Sequence, residues 1–240
     1  MATAQRSFEL LHAGDIDGLH QLLEQNPSAC EDRDSTGVSL LMHSLYRGRR
    51  DLAELIAGKK QSLDQFEAAS LGRLDRLEEC LHQEGRDPAT TEGRSDTPSS
   101  GNAHSIDAHS IDAHSNDGFT ALHFACYFGQ PASARLLIES GAAVDAVAAN
   151  PTQVMPLHSA ASARNLEAVR LLLEYQAPVN ARQQAGWTPI HAAAQNGDRP
   201  MVDLLLQHGA DPKLANTDGK TPAAVAREKG HDAIAALLEK

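Results

Sequence analysis

Three histidines recur at nearly even intervals in the second half of the chain, and their surroundings match. His123 lies in GFTALHFACYFG from Gly118, His158 in VMPLHSAASARN from Val154 and His191 in GWTPIHAAAQNG from Gly186, in steps of 35 and 33 residues. Thr188 to Thr221, in GKTPAAVAREKG, is again 33. Each of the three histidine segments precedes a second apolar stretch: ASARLLIESGAAVDA, LEAVRLLLEYQAPVN and MVDLLLQHGADPKLA. A period of that length marks a supersecondary unit that cannot bury its apolar face alone and must stack on its neighbours. The repeat therefore decides the architecture before any motif does.

Each unit carries its own start and stop signals. Thr188 suits a helix N-cap and Pro189 the first turn, where the missing N–H has no partner to lose. Ile190, Ala193 and Ala194 then fall on one face, small enough for a neighbouring helix to approach closely. Gly197 ends that helix, Pro200 fits the first turn of the next, and Val202, Leu205 and Leu206 form an apolar stripe. Gly209 supplies the left-handed end. The DGKT and AGWT segments predict tight turns at the tip of a hairpin-like finger.

The pattern T-P-L-H-x-A at this period resembles the ankyrin-repeat family over residues 117–240. The resemblance is weaker over 1–85. TGVSLLMHSLYRG, from Thr36, has Ser39 in the Thr position and Met42 where His would stand. FEAASLGRLDRLEECL, from Phe66, matches only the end of helix one and helix two, and FELLHAGDIDGLHQLLEQ, from Phe8, reads as a capping pair. The resemblance implies an all-α solenoid of stacked helix pairs, about six of them, with short β-hairpin fingers and one long inserted loop. In a single domain over 1–240 we expect a capping helix pair at 1–34, degenerate repeats at 35–85 and an extended loop or finger at 86–116. Well-formed repeats at 117–215 and a capping repeat at 216–240 complete it.

Spacing exposes two departures. Gly48 to Gly72 is 24 residues, too short for a finger, so the first two internal repeats are expected to join without one. Gly72 to Gly129 is 57, and the surplus holds AHSID, AHSID and AHSND, from Ala103, Ala108 and Ala113. His104, His109 and His114 there are the weak candidates for a metal-responsive site. A period of five points neighbouring side chains to opposite faces of a strand, and zinc usually takes four well-held ligands, so duplication at a tolerant loop tip is favoured over ligation.

Composition excludes several classes. A net charge of −11 argues against nucleic-acid and anionic-membrane binding. Cys30, Cys80 and Cys126 form no disulfide framework or zinc knuckle and suit a reducing cytoplasm. The sequence holds no phosphate loop, GxSxG, HExxH or acidic calcium loop, so neither enzymatic activity nor a cofactor is expected.

By the resemblance, His123, His158 and His191 are structural, their rings linking backbone groups of adjacent repeats, with Thr120, Thr188 and Thr221 as caps. It also implies a monomer that binds a protein through its concave groove and finger tips. Spacing maps Tyr46, Arg47, Phe119, Tyr127, Phe128, Val154, Gln184, Trp187, Gln195 and Asn196 onto that face, with Val38 and Ser162 beside them. The concentration of scarce aromatics there favours binding hot spots. In the fourth repeat, Met155 replaces the capping Thr, NPTQV replaces the usual turn, and Gln176 stands where Gly141 and Gly209 end other helices.

Overall fold

The computed structural model describes residues 2–83 and 110–239. Among them fourteen α-helices pair into seven antiparallel hairpins. They are α1 (Ala2–Ala13) with α2 (Ile16–Gln25), α3 (Leu40–Tyr46) with α4 (Arg50–Lys59), and α5 (Gln65–Leu71) with α6 (Leu74–Gln83). Four more follow: α7 (Ala121–Tyr127) with α8 (Pro131–Glu139), α9 (Pro156–Ser162) with α10 (Leu166–Glu174), α11 (Pro189–Gln195) with α12 (Arg199–Gln207), and α13 (Pro222–Glu228) with α14 (Asp232–Leu238). Seven pairs exceed the six expected because both degenerate units, around Thr36 and Phe66, complete a hairpin.

The helices form where the chain supplies their ends. Pro156, Pro189 and Pro222 open α9, α11 and α13, and Thr221 Oγ1 accepts the Ala224 N–H at 3.3 Å. Gly72 ends α5 in the left-handed region at φ 76. The inner helices α5, α7, α9, α11 and α13 pack in one row, each on the next, and α6, α8, α10 and α12 form the outer row. Ala125, Ala160 and Ala193 are fully buried in the inner row, where short side chains let the helix backbones come close. Leu137, Leu172 and Leu205 repeat at one position of the outer helices, each with no exposed surface. Burying a leucine there stabilises by about 1.5–3 kcal/mol.

The fingers are turns rather than strands. Each is closed across its ends by a backbone bond: Asp34 N to Val38 O, Ser115 N to Phe119 O, Ala148 N to Val154 O, Gln183 N to Trp187 O and Asn216 N to Lys220 O, all 2.8–3.0 Å. Among the described residues the sole β pairing is an isolated bridge, Arg33 to Ser39, because turns this short have no room for a ladder. Successive fingers are tied by Ala149 N to Gly118 O, Gln184 N to Thr152 O and Thr217 N to Ala185 O, at 2.8–3.0 Å.

One boundary differs from expectation. Within the expected 86–116 loop, residues 110–116 belong to the stack: Ala113 is buried, Asp112 Oδ1 accepts the Ala143 N–H at 3.0 Å, and Ser115 opens a finger. The rest of that segment up to 109 lies outside the described residues. The third pair, α5 and α6, has no finger, only a connector at 60–64, so the first finger faces the next one directly. Asn116 Nδ2 donates to Gly37 O at 2.9 Å, and the Tyr46 hydroxyl donates to Asp117.

Repeat four carries local backbone strain. The left-handed non-glycine residues Gln153 (φ 50), Arg164 (φ 60), Gln176 (φ 62) and Ala185 (φ 60) all fall between its finger and the next. That conformation costs an ordinary residue roughly 1–2 kcal/mol, partly offset by the greater chain entropy glycine would lose. Gln176 is exposed and its equivalents Gly141 and Gly209 share the same hand. Gln176→Gly should therefore raise the unfolding free energy by roughly 0.5–1 kcal/mol in urea titrations. A loss of stability would contradict the strain.

Candidate functional site

The inner helices set the character of the concave face. α7, α9 and α11 read ALHFACY, PLHSAAS and PIHAAAQ, with no Asp, Glu, Lys or Arg in any of them. Their histidines are spent on the fold. Thr120 N donates to His123 Nδ1 at 3.3 Å and Thr188 N to His191 Nδ1 at 3.2 Å, which leaves the ring proton on Nε2. From there His123 donates to Val154 O (3.0 Å), His158 to Ala181 O (3.0 Å) and His191 to Lys220 O (3.1 Å), each in the next repeat. Burial pushes His123 down to about 4 and lowers His158 and His191 as well, against the raising effect of those carbonyls.

At the corresponding position α5 has Glu67. It completes a capping box, accepting the Asp64 N–H at 3.3 Å while Asp64 accepts the Glu67 N–H at 2.9 Å. Its other oxygen lies 3.2 Å from Lys60 Nζ, and Lys60 also meets Glu31 at 2.8 Å. The Lys60 and Glu67 side chains are 2% and 1% exposed. Burial pushes Glu67 up, opposed by Lys60.

Two clefts lie on the concave face. The first, of about 300 Å³, has aromatic walls from Tyr46, Phe119, Phe124 and Tyr127, with Val154 and Ser162 at its far side. Tyr46 and Tyr127 are 42% and 49% exposed, the largest aromatic surfaces offered to solvent on this face. Burial and the Asp117 carboxylate push the Tyr46 phenol up, so its hydroxyl stays protonated as the donor. The second cleft, of about 360 Å³, is lined by Gln183, Gln184, Trp187, Gln195, Asn196 and again Ser162. The Trp187 ring leans on His191 at 5.4 Å. A third space of about 300 Å³, lined by Arg33, Asp64, Phe66 and Asp117 among others, marks the omitted finger.

Most of the mapped residues thus meet in one groove: Tyr46, Phe119, Tyr127 and Val154 in the first cleft, Gln184, Trp187, Gln195 and Asn196 in the second. Two do not. Phe128 is half-buried, its ring 6.3 Å from Phe124 and 5.9 Å from Tyr46, because α7 ends at Tyr127 and the cap residue turns inward. Arg47 is exposed at the cap of α3 and lines neither cleft. Phe124 and Gln183 were not anticipated. Phe124 stands where the next two inner helices have Ser159 and Ala192, so its wall role leaves no periodic signal, whereas Gln183 adjoins the mapped Gln184.

Among the described residues no group of three or more His, Cys, Asp and Glu could hold a metal ion. His104 and His109 lie outside them, and His114 Nε2 bonds Val147 O at 3.0 Å. Cys126 is fully buried and burial pushes its thiol up, away from the reactive thiolate. No helix among the described residues is long and apolar enough to cross a membrane.

The family described as ankyrin repeats, in three copies, matches residues 66–183 and 157–240, which together run from 66 to the end of the chain. Among curated proteins none matches.

Proposed function

The chain belongs to the ankyrin-repeat family, and from that premise we propose that it is a non-catalytic interaction module holding a protein partner in its concave groove and against its finger tips. Ankyrin repeats are generally protein–protein interaction modules. The observation that carries the reading is the exposed, uncharged aromatic cleft between Tyr46 and Tyr127. Large exposed aromatics in a concave site supply binding energy at little ordering cost. The partner is an unidentified protein rather than nucleic acid or membrane, and the module acts as a cytoplasmic monomer without a cofactor. Its three free cysteines suit that compartment.

Affinity capture tests it with Tyr127→Ala plus Gln195→Ala, two exposed positions whose truncation leaves the core intact. The variant, shown by circular dichroism to be folded, should lose a specific partner by tenfold or more. Capture at wild-type strength would remove the groove from the reading.

A further inference from the structure

The two clefts form one continuous trough, since Ser162 at the end of α9 lines both. Among the described residues no Asp, Glu, Lys or Arg lines either one, in a chain that is 22% charged. His123 and His158 in the first cleft are held neutral, with Nε2 already bonded to backbone. A charged group seated there would leave water without a counter-charge. The trough therefore selects an uncharged occupant.

The chemistry of the second cleft narrows that occupant. Among the described residues the side-chain amides of Gln183, Gln184 and Gln195 have no hydrogen bond within the chain, and Asn196 Nδ2 makes only long contacts, 3.4 Å to Ala161 O and 3.3 Å to Ser162 O. An amide side chain offers one acceptor and two donors, the same pairing edge that a peptide bond needs. The backbone narrows it further. An α-helix spends its N–H and C=O groups on itself, whereas an extended segment keeps them free to pair with those amides.

Resting on the groove reading above, we infer that the trough takes an extended, uncharged peptide segment of the partner. One bulky apolar side chain sits among Tyr46, Phe119 and Tyr127, and the segment's backbone meets the glutamine and asparagine amides. The clefts are offset by one repeat, about 8–10 Å between packed helices. An extended chain covers that in about three residues at roughly 3.3 Å each. The anchor and the backbone contact are therefore about three positions apart.

The test is selection of a random twelve-residue phage-displayed peptide library on the full chain. Affinities of the synthesised consensus peptide are then measured for wild type, Tyr127→Ala and Gln195→Ala, each checked for folding by circular dichroism. The expected consensus is an uncharged stretch with one bulky apolar position, weakened about tenfold by Tyr127→Ala and several-fold by Gln195→Ala. A consensus anchored on Lys, Arg, Asp or Glu, or spaced as a helix face, but still lost in Tyr127→Ala, overturns the inference and leaves the groove reading standing. Binding untouched by both substitutions removes the groove itself. Selection of no peptide also overturns the inference, the groove then being judged by capture of the folded partner alone.

Discussion

Lowering the pH from 7 to 4 should remove several kcal/mol of unfolding free energy, with His123 alone contributing on the order of 3 kcal/mol. Burial holds the folded His123 at about 4, while the unfolded ring titrates near 6.5. Above pH 6.5 the ring is neutral in both states and the stability is fully present. Between 6.5 and about 4 the unfolded chain takes up a proton that the folded chain refuses, and each pH unit costs up to about 1.4 kcal/mol per site. Below about 4 both states are protonated and this loss stops. His158 and His191 are lowered by the same burial and steepen the fall. Asp34 does not contribute in that window. Burial would raise it, but hydrogen bonds from Thr36, His43 and Val38 hold it at about 2. Urea titrations at pH 7, 6, 5 and 4 read the effect directly. His123→Gln should be less stable at pH 7 yet show a shallower decline, and an unchanged slope in that variant would refute the assignment.

Lys60→Met should cost about 3–5 kcal/mol, a large loss for a residue that lines neither cleft. The substitution leaves Glu67, 1% exposed, without its cation. Loss of the contact with Glu31 adds little, because that carboxylate is 48% exposed and screened. The asymmetry of buried pairs gives a second readout. Glu67→Gln keeps an acceptor for the Asp64 N–H while removing the charge, so the double variant Lys60→Met/Glu67→Gln should recover at least about 2 kcal/mol relative to the sum of the single losses. Additive losses in the cycle would mean that the two groups do not interact.

The regular repeats were legible because each residue type acts locally. Thr188, Pro189 and Gly197 specify a helix within one turn of themselves, and the recurrence of His123, His158 and His191 marks positions that face the next unit. Lys60 opposite Glu67 could not be read the same way, because it follows from the missing finger rather than from either residue. The same cause hides the bond from Tyr46 to Asp117, which spans 71 positions. Phe128 was misplaced because a motif fixes where a helix lies but not how its last residue turns. Tyr127 remains exposed and Phe128 points inward, although they are adjacent and chemically alike.

The omitted finger has a thermodynamic consequence. In a linear array each unit is coupled only to its neighbours, and the finger-to-finger backbone ties run unbroken only from the finger at Ser115 onward. Ahead of that finger, among the described residues, side chains alone bridge the gap, Asn116 to Gly37 and Tyr46 to Asp117. Yet the aromatic cleft draws its walls from both sides of this seam, Tyr46 from the second helix pair and Tyr127 from the fourth. A partner seated there would act as a clamp, its binding energy adding to the work needed to part the amino-terminal pairs from the rest. By linkage, opening the seam would weaken the partner's grip by the factor by which the partner resists that opening.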